Sequence, residues 1–373
     1  MALLGTAGCR APRAAAGQQL RIGHESEVAS FDPVAYPEVV TWSVLGNLYE
    51  GLLTFDRDMK LTSSLAESWT SPDDRTWVFE LRKGVRFHDG RLLTAEDVRY
   101  SIDRARGGEP SSSLKGYLAT IERVEVLGPH TVRIAVGRPD SLLLNRLVHA
   151  LILPAGYTDF RTHPIGTGPY RFVRWEKDVL LEAEAFPQYW QGKPQVARVQ
   201  FLPVGDAEKG IALLRSGGLD VLRHVPEGSA GRVRETPHVR LVTRAGVGAY
   251  YLWFDCHPRI GDASNPFADK RVRQAISRAI DRQEIARRLG GLVAPMNQLV
   301  HDAVVGYDPE LPPLRFDPAE ARRLLAQAAK SRELKVTLTH RPQPSLAIVS
   351  DAIRDMLGRV GIEVAVETEE WPR

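Results

Sequence analysis

Cysteine is nearly absent from this chain of 373 residues, which contains only Cys9 and Cys256. The two lie far apart and match no metal-ligand spacing. No apolar run approaches the roughly 18 residues needed to span a bilayer, so no transmembrane helix is expected. Charge is close to balanced, with 49 Lys and Arg against 46 Asp and Glu and a net charge of +3. Spread over this length, that excess gives no argument for nucleic acid. The ten histidines include no His-x-His or His-Glu-x-x-His spacing, so nothing supports a direct metal site. No Gly-x-Ser-x-Gly elbow is present, which removes the usual signature of a serine hydrolase. What remains is ordinary globular material, 43% hydrophobic and 25% charged. Its length allows about two or three domains at roughly 100–200 residues each.

The stretch from Leu65 to Arg106 is the most ordered by pattern. Trp77, Phe79 and Leu81 alternate with Thr76, Val78, Glu80 and Arg82, the period of a strand with one buried face. Ser71 to Asp74 reads as a turn before it; Lys83-Gly84 and His88-Asp89-Gly90 read as turns after it. Thr94 offers a hydroxyl cap, with Glu96 and Asp97 in the first turn of a helix running to about Arg106. Leu45, Leu48, Leu52 and Leu53 recur at helical spacing, so Val44 to Phe55 is read as a packed helix, with Tyr49 and Glu50 as packing residues. Asp269 caps a helix striped by Val272, Ala275, Ile276, Ala279 and Ile280, and Asp281 with Glu284 forms the next capping box. Arg271, Arg273, Arg278 and Arg282 spread around that cylinder as a solvated surface. Toward the end, Lys335 to His340 alternates as a strand, Leu346 to Val360 forms an amphipathic helix, and Ile362, Val364 and Val366 form another strand. That is a βαβ unit with two parallel strands.

The wording of these segments resembles one family. Ala66-Glu67-Ser68-Trp69, Phe79-x-Leu81-Arg82-Lys83-Gly84-Val85-x-Phe87-His88-Asp89-Gly90 and Thr94-Ala95-Glu96-Asp97-Val98 resemble the signature of bacterial extracellular solute-binding proteins of family 5. These are the dipeptide-, oligopeptide- and nickel-binding proteins of ABC importers. Pro187-Gln188-Tyr189-Trp190, Gly218-Leu219-Asp220-Val221 and Pro266-Phe267-Ala268-Asp269-Lys270-Arg271-Val272-Arg273 are similar to further elements of that family. The resemblance implies an α/β fold of the periplasmic-binding-protein type, two-lobed, type II and cluster C, with an extra small domain. The implied boundaries are a signal and tether over 1–19, lobe I over 20–45 and 161–248, an inserted domain over 46–160, and lobe II over 249–373. Family members continue beyond this point, so the resemblance implies that the C-terminal portion of the pattern is missing.

The implied function is the extracytoplasmic binding component of an ABC importer. It would capture peptides in a cleft between two lobes and deliver them to permease subunits in the inner membrane, with no enzymatic activity and no cofactor. Nickel chelates, opines or oligosaccharides stay open within the family. The alternative is a truncated, non-transporting fragment or ligand-sensing module on the same fold. His24 to Pro33 resembles the segment that, in the oligopeptide branch, pairs its backbone with an extended peptide, which implies ligand contact at Glu27, Val28 and Ala29. Tyr117 falls where peptide-binding relatives place an aromatic over the ligand. Ala249 to Phe254 reads as an aromatic-rich strand, with Tyr250 and Trp253 on opposite faces as candidates. His163 to Tyr170 reads as a hinge-proximal turn whose glycines permit tight or positive-φ backbone. Met1 to Cys9, small residues leading into a cysteine, resembles a lipoprotein signal in which Cys9 carries lipid. It lacks preceding Lys or Arg and has a short apolar part. Cys256 is then expected to be a buried free thiol. Together these readings place a monomer in the periplasm or on the outer face of the cell membrane, without nucleic-acid partners.

Overall fold

The structure is a computed structural model that describes residues 19–35, 38–108, 112–244, 246–257, 265–328 and 334–370. Cys9 and most of the expected tether lie outside the described residues. Contacts divide the chain into two compact units, one ending at His224 and the other starting at Val225.

The first unit opens with β1 (Gln19–His24), α1 (Val39–Leu45), and a short hairpin of β2 (Leu53–Phe55) and β3 (Leu61–Ser63). Next come β4 (Ala66–Asp73), β5 (Thr76–Leu81), α2 (Ala95–Asp103), β6 (Ile121–Gly128), β7 (Thr131–Val136) and α3 (Leu143–Leu147). It closes with β8 (Tyr170–Glu176), β9 (Leu180–Ala185), β10 (Arg198–Pro203), α4 (Ala207–Ser216) and β11 (Val221–Leu222). Two sheets carry these elements, a five-stranded one in the order β11-β1-β10-β9-β8 and a four-stranded one in the order β4-β5-β7-β6. β1 is parallel to both β10 and β11, while β8, β9 and β10 pair antiparallel.

The alternation in β5 does what its period demands. Trp77, Phe79 and Leu81 are buried with Val98 and Ile102 of α2 and Val132 and Ile134 of β7 in one core. α2 starts where Thr94 predicts, and Asp97 at the third helical position closes a capping box with it. Asp97 Oδ2 accepts from both the backbone N–H (2.7 Å) and the hydroxyl (2.8 Å) of Thr94. The helix expected over Val44–Phe55 ends at Leu45, yet Leu45, Leu48, Leu52 and Leu53 are all buried. The reason is the strand-side backbone laid against the chain there. Gly168 N–H donates to Leu48 O and Tyr170 N–H to Asn47 O, both at 3.0 Å. A Cβ on Gly166 would overlap the Leu48 carbonyl oxygen, and one on Gly168 would lie 2.6 Å from Asn47 O. These glycines serve close approach; neither has positive φ.

The second unit contains α5 (Ala230–Arg234), α6 (Lys270–Ala279), α7 (Arg282–Arg288), α8 (Pro318–Ala328), β12 (Leu334–His340), α9 (Pro344–Gly358) and β13 (Ile362–Thr368). The expected βαβ unit is present, with β12 parallel to β13 from Leu334↔Ile362 to His340↔Thr368. Asp269 and Asp281 cap α6 and α7 through their carboxylates. Val272, Ala275, Ile276 and Ala279 pack with Ile353, Met356 and Leu357 in a separate core. Ala249–Phe254 does not form the expected strand; no ladder pairs it among the described residues. With no sheet over it, Cys256 is exposed, not buried, its thiol 3.5 Å from Phe254 O.

Candidate functional site

The chain leaves β1 at His24 and enters an irregular segment, 25–32, at the C-terminal edge of the parallel strands β1 and β10, where open α/β sheets place their ligands. Both ends of this segment are fixed. Asp32 is fully buried and receives a two-pronged ion pair from Arg104 at 2.8 and 2.7 Å. The Arg104 guanidinium itself lies 4.3 Å over the Phe160 ring. Phe31 packs edge-on against Phe172 and Trp175, and its carbonyl accepts from the Tyr49 hydroxyl at 3.2 Å. Burial pushes that phenol well above its ordinary range, so it stays a donor.

Between these anchors lie the sequence candidates. Glu27 Oε1 accepts from the Trp175 indole at 2.9 Å and from Asp178 N–H at 2.7 Å, tying the segment to the β8–β9 turn. Val28 is buried, and Ala29 N–H donates to the Thr41 hydroxyl of α1 at 3.1 Å. The backbone N–H groups of Ser26, Glu27 and Val28 have no hydrogen-bond partner among the described residues. A short stretch of unpaired main chain is thus held by its flanks.

Aromatic side chains continue the surface from α1. Trp42, next to Thr41, meets His149 edge-on with ring centroids 5.2 Å apart, and His149 meets Tyr117 at 6.1 Å. Tyr117 is half-exposed, and burial lowers the His149 imidazole below its ordinary value. α1 therefore links Glu27–Ala29 to Tyr117 through residues that sequence reasoning did not select; Trp42 and His149 carry no motif. His24 was missed as well. It is 4% exposed, neither ring nitrogen has a partner among the described residues, and it lines a cavity of about 10 Å³ together with Ser26, Glu27 and Val28. Burial, with Arg223 nearby, holds that imidazole below its usual range. In the second unit, Tyr250 is half-exposed with its hydroxyl 3.0 Å from Ser345 Oγ, and Trp253 is almost fully exposed. Among the described residues no three His, Cys, Asp or Glu side chains gather as a metal site, and no helix is long and apolar enough to cross a membrane.

The model of the bacterial extracellular solute-binding proteins, family 5 Middle, matches residues 60–373. The chain belongs to this family. A glutathione-binding protein, GsiB, of Pectobacterium atrosepticum is 31% identical over 354 residues, spanning 91% of this chain and 67% of that protein. Among solved structures, DppA from Helicobacter pylori in complex with the peptide STSA superposes with a TM-score of 0.80 at 24% identity, covering 96% of this chain and 75% of that one. AgaA from A. tumefacien R10, in complex with agropinic acid, gives 0.77 at 27% identity, covering 95% and 73%. The fold is the mixed α/β, type II fold of the periplasmic binding proteins. As a family 5 protein, the chain is a substrate-binding protein by class, and its relatives bind solutes of quite different chemistry.

Proposed function

We propose that this chain is the solute-binding component of an ABC importer and that its solute is a short peptide lying along Ser26–Ala29. The observation that carries the reading is the row of unpaired N–H groups at Ser26, Glu27 and Val28 on a segment fixed at both ends. An extended peptide supplies carbonyls to such a row as an added strand does, so affinity comes from main-chain bonds and tolerates varied side chains. The names of relatives support the class: glutathione for GsiB, the peptide STSA for DppA and a nonapeptide for AppA from Bacillus subtilis. Tyr117, with His149 and Trp42, supplies an aromatic wall beside the peptide. Residues 20–45 and 161–248 make one lobe, 46–160 the inserted domain and 249–373 the other lobe. The protein works as a monomer outside the cytoplasm with inner-membrane permease subunits, held by lipid on Cys9.

Calorimetric titration with the tetrapeptide Ser-Thr-Ser-Ala and a panel of di- to pentapeptides tests this. Saturable binding is expected, weakened at least about tenfold by Val28→Pro, which removes one donor. Val28→Ala serves as the folded control, since it keeps all three Ser26–Val28 donors and the Ala29–Thr41 anchor. Absence of heat with every peptide, together with binding of an opine or nickel chelate, would sink the peptide reading.

A further inference from the structure

Three of the segments that mark this family, 66–69, 79–90 and 187–190, meet at a place separate from segment 25–32. Glu50 is half-buried, and its carboxylate accepts from the Thr167 hydroxyl (2.9 Å), the Tyr189 hydroxyl (2.9 Å) and the Trp190 indole (3.0 and 3.1 Å). These bonds fix the Trp190 ring. The Arg82 guanidinium lies over that ring, 4.5 Å from its centroid, and is pinned from behind by Ser64 O at 2.7 Å and Ser63 Oγ at 3.2 Å. Trp190 and Arg82 thus form a platform whose geometry is set before any ligand arrives.

The platform floors an open recess of about 350 Å³, lined also by Glu67, Lys83 and Val85. That size lies within the range of small-molecule sites. Lys83 follows β5 at the Gly84 turn (φ +77), and Glu67 sits at a bulge in β4 between the pairs Ala66↔Leu81 and Ser68↔Glu80. Bulges redirect a side chain out of the regular alternation. Neither Lys83 nor Glu67 has an ion-pair partner among the described residues. The recess therefore presents two cations, one carboxylate without an ion-pair partner among the described residues, and an indole face.

We infer that this recess is a second ligand site, and that it takes a free amino acid. The ligand's carboxylate is met by Arg82 and Lys83, its ammonium by Glu67, and its side chain lies against Trp190. A simple anion leaves Glu67 repelling it, and a simple amine meets two like charges, so the zwitterion is the matched charge pattern.

The test follows the Trp190 indole N–H in nitrogen-labelled full-length protein, assigned through Trp190→Phe, during titration with L-alanine. Acetate and ethylammonium are the half-ligand controls. The expected result is a saturable shift with L-alanine, at least about tenfold weaker in Glu67→Gln and in Lys83→Gln, as for loss of one charge-assisted bond. Both side chains are exposed, so these variants keep the fold where Arg82→Gln, half-buried on Trp190, risks it. No saturable shift, a shift unchanged in both variants, or acetate binding as tightly as alanine overturns the proposal. Peptide titration of the same variants is expected to be unaltered, which separates this site from the one on Ser26–Ala29.

Discussion

At the scale of single residues, histidines carry the clearest physical signal. His88 is enclosed between its own strand-turn and the glycine turn: Gly166 N–H donates to Nδ1 at 3.2 Å, and Nε2 lies 3.0 Å from Gly168 O. Nδ1 must accept and Nε2 must donate, so only the neutral Nε2-protonated form satisfies both. Burial first, then the Arg171 charge, drop its pKa from 6.5 to about 4. Between those values the unfolded chain binds a proton that the folded chain refuses, so stability is full above pH 6.5 and falls as pH drops toward 4. The loss from this residue alone approaches about 3 kcal/mol at the lower end. Denaturant titrations at pH 7 and pH 4.5 should show this decline in the wild type and a shallower one in His88→Gln. Equal declines would assign the acid sensitivity elsewhere.

At the scale of elements, α2 shows how much its sequence announces and where that stops. Thr94 marks the start correctly, because a hydroxyl before an acidic first turn is a local signal. Local signals also gave β5 and the parallel pair β12 and β13, whose alternation and intervening helix leave one arrangement. What Asp97 does beyond its own turn was not readable: Oδ1 accepts from Ala155 N–H at 2.7 Å, 58 residues away. The same limit hid Trp42 and His149, which meet only through packing, and made Ala249–Phe254 look like a strand. Aromatic composition suits a strand, but a strand exists only where a neighbour supplies its hydrogen bonds. Asp97→Ala removes the cap and leaves half-buried donors at Thr94 and Ala155 without their acceptor, so a loss of about 2 kcal/mol is expected. A shift of the urea midpoint with unchanged slope would measure it; a loss under about 1 kcal/mol would show that solvent replaces the carboxylate.

At the scale of the whole molecule, the two units differ in how far apart in sequence their contacts are. The second unit's sheet joins strands separated by one helix, whereas among the described residues β1 pairs with β10 and β11 alone, and Arg21 bonds to Asp220 across 199 residues. Pulse-labelled hydrogen exchange during refolding should therefore protect β12 and β13 before β1, since distant pairing must first meet the entropy of closing a long loop. Simultaneous protection would mean that β1 is captured early by non-native contacts. The same topology sets a clock during synthesis. At 5–20 residues per second, roughly 10–40 seconds separate the emergence of Arg21 from that of Asp220. Until β10 emerges late in that interval, the strand leading into the Ser26–Val28 amides has no native neighbour. The nascent chain is then an open edge, accessible to chaperones until its last partner strand arrives.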